Sequence, residues 1–145
     1  MAMSVQGLEV IDRATHVTHD WINELSGRLD WSSKRSALRL LRVTLHHLRD
    51  HLLLDEMAQF SAQLPLLIRG IFFEGWVPKR TPIKERSAAD FIGFIETQLG
   101  ETEEYRGSED IRCVFDLLNA RLSAGEIEDV RASLPSAIRA LWPDP

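Results

Sequence analysis

The stretch that decides the fold is "AQLPLLIRGIFFEGW", residues 62–76, because a similar stretch, "ASLPSAIRALW", occupies residues 132–142. Each has Leu-Pro followed by Ile-Arg, and each ends in large aromatic residues. A proline inside a helix loses a hydrogen bond and clashes with the preceding turn, whereas at the start of a helix its missing N–H costs nothing. We therefore predict that Pro65 and Pro135 each separate two short helices.

These two stretches belong to a longer internal match. When the chain is compared with itself at an offset of 70 residues, an ungapped correspondence runs from Asp20 and Asp90 to Phe72 and Trp142. The apolar matches recur at helical spacing, which predicts two similar units packed into one pseudo-symmetric domain. Identical pairs include Leu29/Leu99, Arg42/Arg112, Leu48/Leu118, Glu56/Glu126, Leu64/Leu134 and Arg69/Arg139.

Each unit begins with two longer helices. In the first unit, apolar residues recur every three or four positions, the interval that places side chains on one helix face. Short helices follow at about 55–63 and 65–73, with counterparts at about 126–133 and 135–142. The apolar positions of the two longer helices are Val10, Ala14, Val17, Trp21 and Leu25, then Leu38, Leu41, Leu45, Leu48 and Leu52.

No stretch alternates between apolar and polar residues as a half-buried strand does. We therefore predict an all-α fold of about eight helices in two four-helix units. The expected domain spans residues 1–145, with unit one at about 7–73, a linker at 74–86 and unit two at about 87–142.

The composition is that of a globular protein in a reducing compartment. The 145 residues are 44% hydrophobic, and the net charge is −5. Cys113 is the single cysteine, so an internal disulfide framework and a zinc site of CxxC pairs are both excluded. The N-terminal sequence lacks the basic start and apolar core of a secretory signal. We expect a cytoplasmic protein that does not enter the membrane. The 14 Arg against 3 Lys indicate a bacterial source with a GC-rich genome.

Four motifs together resemble a known family. They are "HDWINEL", "LHHLRDHL", "AQLPLLIRGIFFEGWVP" followed by "TPIKE", and "VRASLPSAIRALW". From about residue 8 to residue 142 the chain resembles the bacterial family called domain of unknown function 2267 (DUF2267). The resemblance implies an all-helical fold and implies no activity. His51 departs from the family pattern, in which arginine is typical after Arg-Asp, and this argues against a shared ligand at that position.

Two of the five histidines have a metal-binding spacing. His47 and His51 are four residues apart, which can place two imidazoles on one ion. Asp55 is a candidate third ligand, although it is also suited to capping the next helix. The offset of 70 gives Leu117 and Arg121 at the matching positions, so no symmetric second site is expected. We interpret both histidines as residues at the border of the core and predict no metal and no cofactor.

Catalytic motifs are absent from the sequence. There is no Gly-x-Ser-x-Gly, no phosphate-binding GxxxxGK[ST] loop and no HExxH. Cys113 lies two residues after Ile111, on the flank of a predicted helix. A thiol in such a place is more often a small packed side chain than a nucleophile. We therefore name no catalytic residue and do not expect an enzyme.

The most distinctive surface feature is a basic stripe on the second helix, formed by Arg35, Arg39, Arg42 and Arg49. The basic linker at 74–86 is a second candidate binding surface. The stripe could dock an acidic protein, whereas a solvated face neutralised within the molecule or across a homodimer is the alternative. In the linker, Trp76 beside cations could stack bases, or it could pin the linker to the core. The candidate partner- or anion-binding residues are Arg35, Arg39, Arg42, Arg49, Trp76, Lys79 and Arg80.

The functional prediction is a non-enzymatic interaction or adaptor module with an acidic protein partner. A small-molecule or metal sensor with a pocket between the units is the first alternative. Nucleic-acid binding through the basic stripe is the second, and the negative net charge disfavours it.

A repeated polar pair accompanies the Leu-Pro step. Glu56 and Arg69 are 13 residues apart, as are Glu126 and Arg139. We predict that each arginine reaches across its short-helix hairpin to that glutamate or to free carbonyls at a helix end.

Overall fold

A computed structural model of the chain describes residues 7–145. These residues form eight α-helices and one turn of 3-10 helix, and no strand occurs among them, which confirms the all-α prediction. The helices are α1 (Glu9–Leu29), α2 (Lys34–Asp50), α3 (Leu54–Ala62), α4 (Leu66–Phe73), α5 (Ala88–Leu99), α6 (Ser108–Arg121), α7 (Ala124–Ser133) and α8 (Ser136–Arg139). The 3-10 turn, Pro78–Arg80, lies in the linker between α4 and α5.

Serine side chains start three of the helices. The hydroxyl of Ser33 accepts a hydrogen bond from the backbone N–H of Ser36 at 3.1 Å, and this satisfies an otherwise free donor of α2. Ser87 caps α5 and Ser123 caps α7 in the same way. Helix α1 ends at Leu29, where the next residue, Asp30, adopts a left-handed conformation with φ of 57°.

Both Leu-Pro steps separate two helices, as predicted. Pro65 and Pro135 each lie immediately before the first residue of the following helix, with φ of −59° and −54°. Beyond each proline an arginine reaches back to the end of the preceding helix. The side chain of Arg69 donates to the carbonyls of Ser61 at 2.9 Å, Ala62 at 3.2 Å and Leu64 at 2.9 Å.

Arg139 makes the same set of bonds at the second step. Its side chain donates to the carbonyls of Arg131 at 2.7 Å, Ala132 at 3.2 Å and Leu134 at 2.9 Å. Bonding to helix-end carbonyls is therefore confirmed, whereas among the described residues neither Arg69 nor Arg139 forms an ion pair with a glutamate.

Helix α2 lies at the centre of the molecule. It packs against α1, α4, α5 and α6, while α1 also packs on α6 and α3 packs on α7. The leucine positions that predicted this helix are its buried face, since Leu41, Leu45 and Leu48 have no exposed surface. Each such side chain contributes roughly 1.5–3 kcal/mol through removal from water. Because α2 is surrounded on several sides, polar residues near its end are buried as well.

Candidate metal centre

Four of the seven residues predicted to form a binding surface are exposed. Arg35 and Arg39 lie on α2, and Lys79 and Arg80 lie in the linker. Arg42 is half-buried, and its Nε donates to Glu74 Oε1 at 2.9 Å.

Arg49 is not part of an accessible surface, which corrects its prediction as a binding residue. Its side chain is buried, and Nη1 donates to the carbonyls of Phe72 at 2.8 Å and Glu74 at 2.7 Å. Its Nε donates to Asp50 Oδ1 at 2.8 Å. Arg49 therefore holds the end of α4 against α2, because burial of an arginine requires acceptors for its donors.

Trp76 is partly buried and makes both an aromatic contact and a hydrogen bond within the protein. Its ring lies 5.7 Å from that of Phe73, and its indole N–H donates to the hydroxyl of Thr81 at 3.3 Å. This arrangement is that of a linker anchor. Nearby, a cleft of about 510 Å³ is lined by both charge signs, including Arg42, Arg80 and Glu74.

Three side chains of a different kind converge at the end of α2. The Nε2 atom of His47 lies 2.6 Å from Glu85 Oε1, and the Nε2 atom of His51 lies 3.0 Å from the same oxygen. One ligand atom from each residue lies within 4.8 Å of the other two. We call His47, His51 and Glu85 the histidine–glutamate cluster.

The cluster is deeper in the molecule than the border position predicted for the histidines. His47 has no exposed surface and His51 is 7% exposed. Helix α5 covers them, since the ring of Phe94 stacks on His47 at 4.1 Å and the ring of Phe91 lies 4.7 Å away. Two imidazoles are thus held against aromatic rings and largely removed from solvent.

Glu85 reaches the cluster because the linker folds back over the end of α2. The backbone N–H of Ile83 donates to the carbonyl of Asp50 at 2.7 Å, which fixes the linker two residues before Glu85. The Glu85 side chain is 18% exposed, so the cluster borders solvent on the linker side. A groove of about 380 Å³ opens there, and its lining includes His51, Glu85 and Pro135.

The hydrogen bond at the other ring nitrogen fixes the tautomer of neutral His51. His51 Nδ1 lies 2.8 Å from the carbonyl oxygen of His47, and a carbonyl only accepts, so Nδ1 carries the hydrogen. The Nε2 atom of neutral His51 then presents a lone pair to the Glu85 carboxylate. Two acceptors at this distance repel each other unless a proton or a metal cation lies between them.

The electrostatics keep His47 in the form that binds metals. Burial, together with the charge of His51, lowers the pKa of His47 to about 3, so its imidazole is neutral near pH 7. Burial also raises the pKa of Glu85, and its neighbour His51 acts in the opposite direction. Neutral imidazole nitrogens and a carboxylate oxygen are established ligands of divalent transition metals.

Sequence reasoning found two of these residues and missed the third. Asp55, the candidate third ligand, lies exposed in the first turn of α3 and is outside the cluster. Glu85 is 38 residues from His47, and no regular spacing connects a linker residue to a helix. The only available signal was its place in the "TPIKE" motif of the linker.

Cys113 does not resemble a catalytic thiol. Its Sγ lies 3.6 Å from the carbonyl of Arg28. Burial raises the pKa of the thiol, with Asp110 adding to the effect, whereas a reactive cysteine needs a lowered pKa.

Among residues 7–145, no helix combines the length and the apolar character needed to cross a bilayer. Comparison with known families gives a match to the model described as "Uncharacterized conserved protein (DUF2267)" over residues 18–141. A search of curated proteins found no match.

Proposed function

The chain belongs to the DUF2267 family. For this member of the family we propose binding of one divalent transition-metal ion through His47, His51 and Glu85. The observation that carries the proposal is the convergence of two imidazole nitrogens and one carboxylate oxygen within 4.8 Å of one another. This donor set suits Zn²⁺ best, with Co²⁺, Ni²⁺ and Fe²⁺ as related ions.

The spacing of the three ligand atoms is close to what an ion requires. Ligands at ~2.0–2.1 Å from a tetrahedral ion lie ~3.3 Å apart. The separations of 2.6 Å and 3.0 Å between the histidine nitrogens and Glu85 Oε1 are slightly shorter. A small outward movement of the Glu85 side chain would therefore seat the ion, and its partial exposure leaves room for that movement.

The surroundings of the cluster also suit a metal. Metal-binding histidines usually donate their second ring N–H to a carbonyl or carboxylate, which orients the ring. His51 donates its Nδ1–H to the carbonyl of His47 in this way. Three protein ligands and a groove on the open side correspond to a site that exchanges its ion or takes a further ligand, since closed structural zinc sites have four protein ligands.

Metal binding would join the linker to α2, and we propose that the protein is a metal-responsive interaction module. Glu85 belongs to the same linker as the exposed cations Lys79 and Arg80. An occupied site would hold this linker more firmly on the helix end. The proposed internal repeat, which the matching carbonyl contacts of Arg69 and Arg139 support, gives no second site, because Leu117 and Arg121 stand at the positions of the histidines.

The first test measures zinc binding by isothermal titration calorimetry. We expect one Zn²⁺ per chain for the wild type, and a loss of affinity of at least ~10-fold for Glu85→Gln and for His51→Ala, because each removes a ligand. Glu85→Gln keeps the size of a partly exposed side chain, so the fold should be retained.

Two matched controls separate the cluster from other candidate ligands. Asp55→Asn removes the carboxylate that spacing alone suggested, and His46→Gln removes the neighbouring imidazole on α2. Both variants should bind zinc as the wild type does. Wild-type protein without stoichiometric binding, or Glu85→Gln with unchanged affinity, would refute the metal site.

A second candidate function rests on the exposed arginines of α2. We propose that the protein is a cytoplasmic adaptor and that Arg35 and Arg39 bind its acidic protein partner. Both arginines are exposed, and they lie one helical turn apart. Arg35→Glu with Arg39→Glu should abolish capture of that partner from the host while leaving the circular dichroism spectrum unchanged. Arg13→Glu, an exposed change on α1, is the control. Identical partners for the double variant and the wild type would remove this surface from consideration.

A further inference from the structure

We propose that Glu56 and Glu126 share one proton, and that release of this proton weakens the contact between α3 and α7. The two glutamates occupy the same place in their helices, the third residue of α3 and of α7. Carboxylate oxygens of Glu56, Glu126 and the exposed Asp129 lie within 4.8 Å of one another. This acidic contact is separate from the histidine–glutamate cluster.

Both glutamates lie in a contact that the fold holds closed. Helices α3 and α7 pack together, and at the end of the contact Gln63 and Ser123 exchange two hydrogen bonds of 3.0 Å each. Glu126 is 7% exposed and Glu56 is half-buried. The two carboxyl groups therefore meet within this helix contact.

No cation among residues 7–145 compensates the two carboxylates. The nearby arginines bond elsewhere: Arg69 and Arg139 to helix-end carbonyls, Arg121 to Glu24 at 2.8 Å, and Arg131 of α7 to Asp144 at 3.1 Å. Asp129 adds a further negative charge on α7. Within the described chain, Glu56 Oε1 and Glu126 Oε2 are buried and lack a hydrogen-bond partner.

Sharing a proton resolves this conflict. Two carboxylates in one partly desolvated contact repel each other, and protonation of one removes the repulsion. The remaining negative charge is acceptable, since both side chains belong to first turns of helices, where the helix dipole favours an anion. Aspartic-protease dyads hold one proton between two carboxyls for the same reason.

The pKa of Glu126 agrees with a shared proton and gives the pH range over which that proton is released. Burial, followed by the neighbouring Glu56 and Asp129, raises its pKa to about 7. An unfolded glutamate has a pKa near 4.5. Between these two values the folded state keeps a proton that the unfolded state releases, so stability falls as the pH rises from about 4.5 to about 7.

The test compares Glu126→Gln with the wild type by urea unfolding between pH 5 and pH 8.5. Glutamine keeps the shape of the protonated acid and can donate to Glu56 at every pH. We expect the urea midpoint of the wild type to fall across this range relative to that of Glu126→Gln. Glu128→Gln removes the same charge from an exposed position of α7 and should keep the wild-type pH dependence.

Carboxyl ¹³C NMR of the wild type supplies a direct readout that does not require a variant. One glutamate should titrate with a midpoint near 7. Ordinary titration of every glutamate, or an unchanged pH slope in Glu126→Gln, would overturn the proposal. Stabilisation of the wild type but not of Glu126→Gln by millimolar Mg²⁺ or Ca²⁺ at pH 8 would also overturn it, because a cation rather than a proton would then occupy the contact.

Discussion

The two Leu-Pro steps of this molecule are alike, whereas the ends of α2 and α6 are different. Arg69 and Arg139, 70 positions apart, each bond three carbonyls of the preceding helix end. At the end of α2, however, two buried histidines meet a linker carboxylate, while Arg121 at the end of α6 pairs with Glu24. The arginine–carbonyl contacts occur at both steps, and we assign them to folding. The histidine–glutamate cluster occurs only at the end of α2, and we assign the proposed function to it.

The comparison predicts its largest loss of stability for replacement of the two equivalent arginines, Arg69 and Arg139. Arg69→Ala and Arg139→Ala each remove three charge-assisted hydrogen bonds to carbonyls, two of them partly buried, and each should lower the free energy of unfolding by about 2 kcal/mol. Arg112→Ala is the control, because Arg112 donates one long bond of 3.3 Å, to the carbonyl of Ala140. Unequal losses for the two arginines in urea unfolding would show that the two steps differ energetically.

A smaller effect sharpens the comparison at the starts of α3 and α7. Ser123 caps α7 with φ and ψ of −66° and 147°, and Leu53 precedes α3 with −67° and 157° but has no capping side chain. Leu53→Ser should therefore stabilise the protein by about 0.5–1 kcal/mol, since the backbone already has the geometry of a cap. A lower thermal midpoint for Leu53→Ser would contradict the equivalence of the two positions.

The fold was predictable because local rules determined it. The leucine spacing of α2 located a helix in which Leu41, Leu45 and Leu48 are buried, and each Leu-Pro step marked a helix start within one residue. Proline chemistry and helical periodicity act over a few neighbouring residues, so a single sequence contains them. The carbonyl partners of Arg69 and Arg139 were one of two predicted alternatives, the other being Glu56 and Glu126.

The candidate site was only half predictable because it depends on a contact between distant segments. His47 and His51 are visible as a spacing within one helix, whereas Glu85 arrives through the path of the linker. The pairing of Glu56 with Glu126 was missed similarly, since helix packing brings α3 to α7. The interpretation of Arg49 as a surface residue failed because a helical wheel does not show that α4 ends beside it.

The central claim is that His47, His51 and Glu85 form one metal site, and X-ray absorption at the zinc edge tests it most directly. Protein loaded with one equivalent of Zn²⁺ should have an inner shell of nitrogen and oxygen at ~2.0–2.1 Å with the outer scattering of two imidazoles, reduced to one imidazole in His51→Ala. An inner shell without imidazole scattering, or a spectrum that His51→Ala leaves unchanged, would contradict the account.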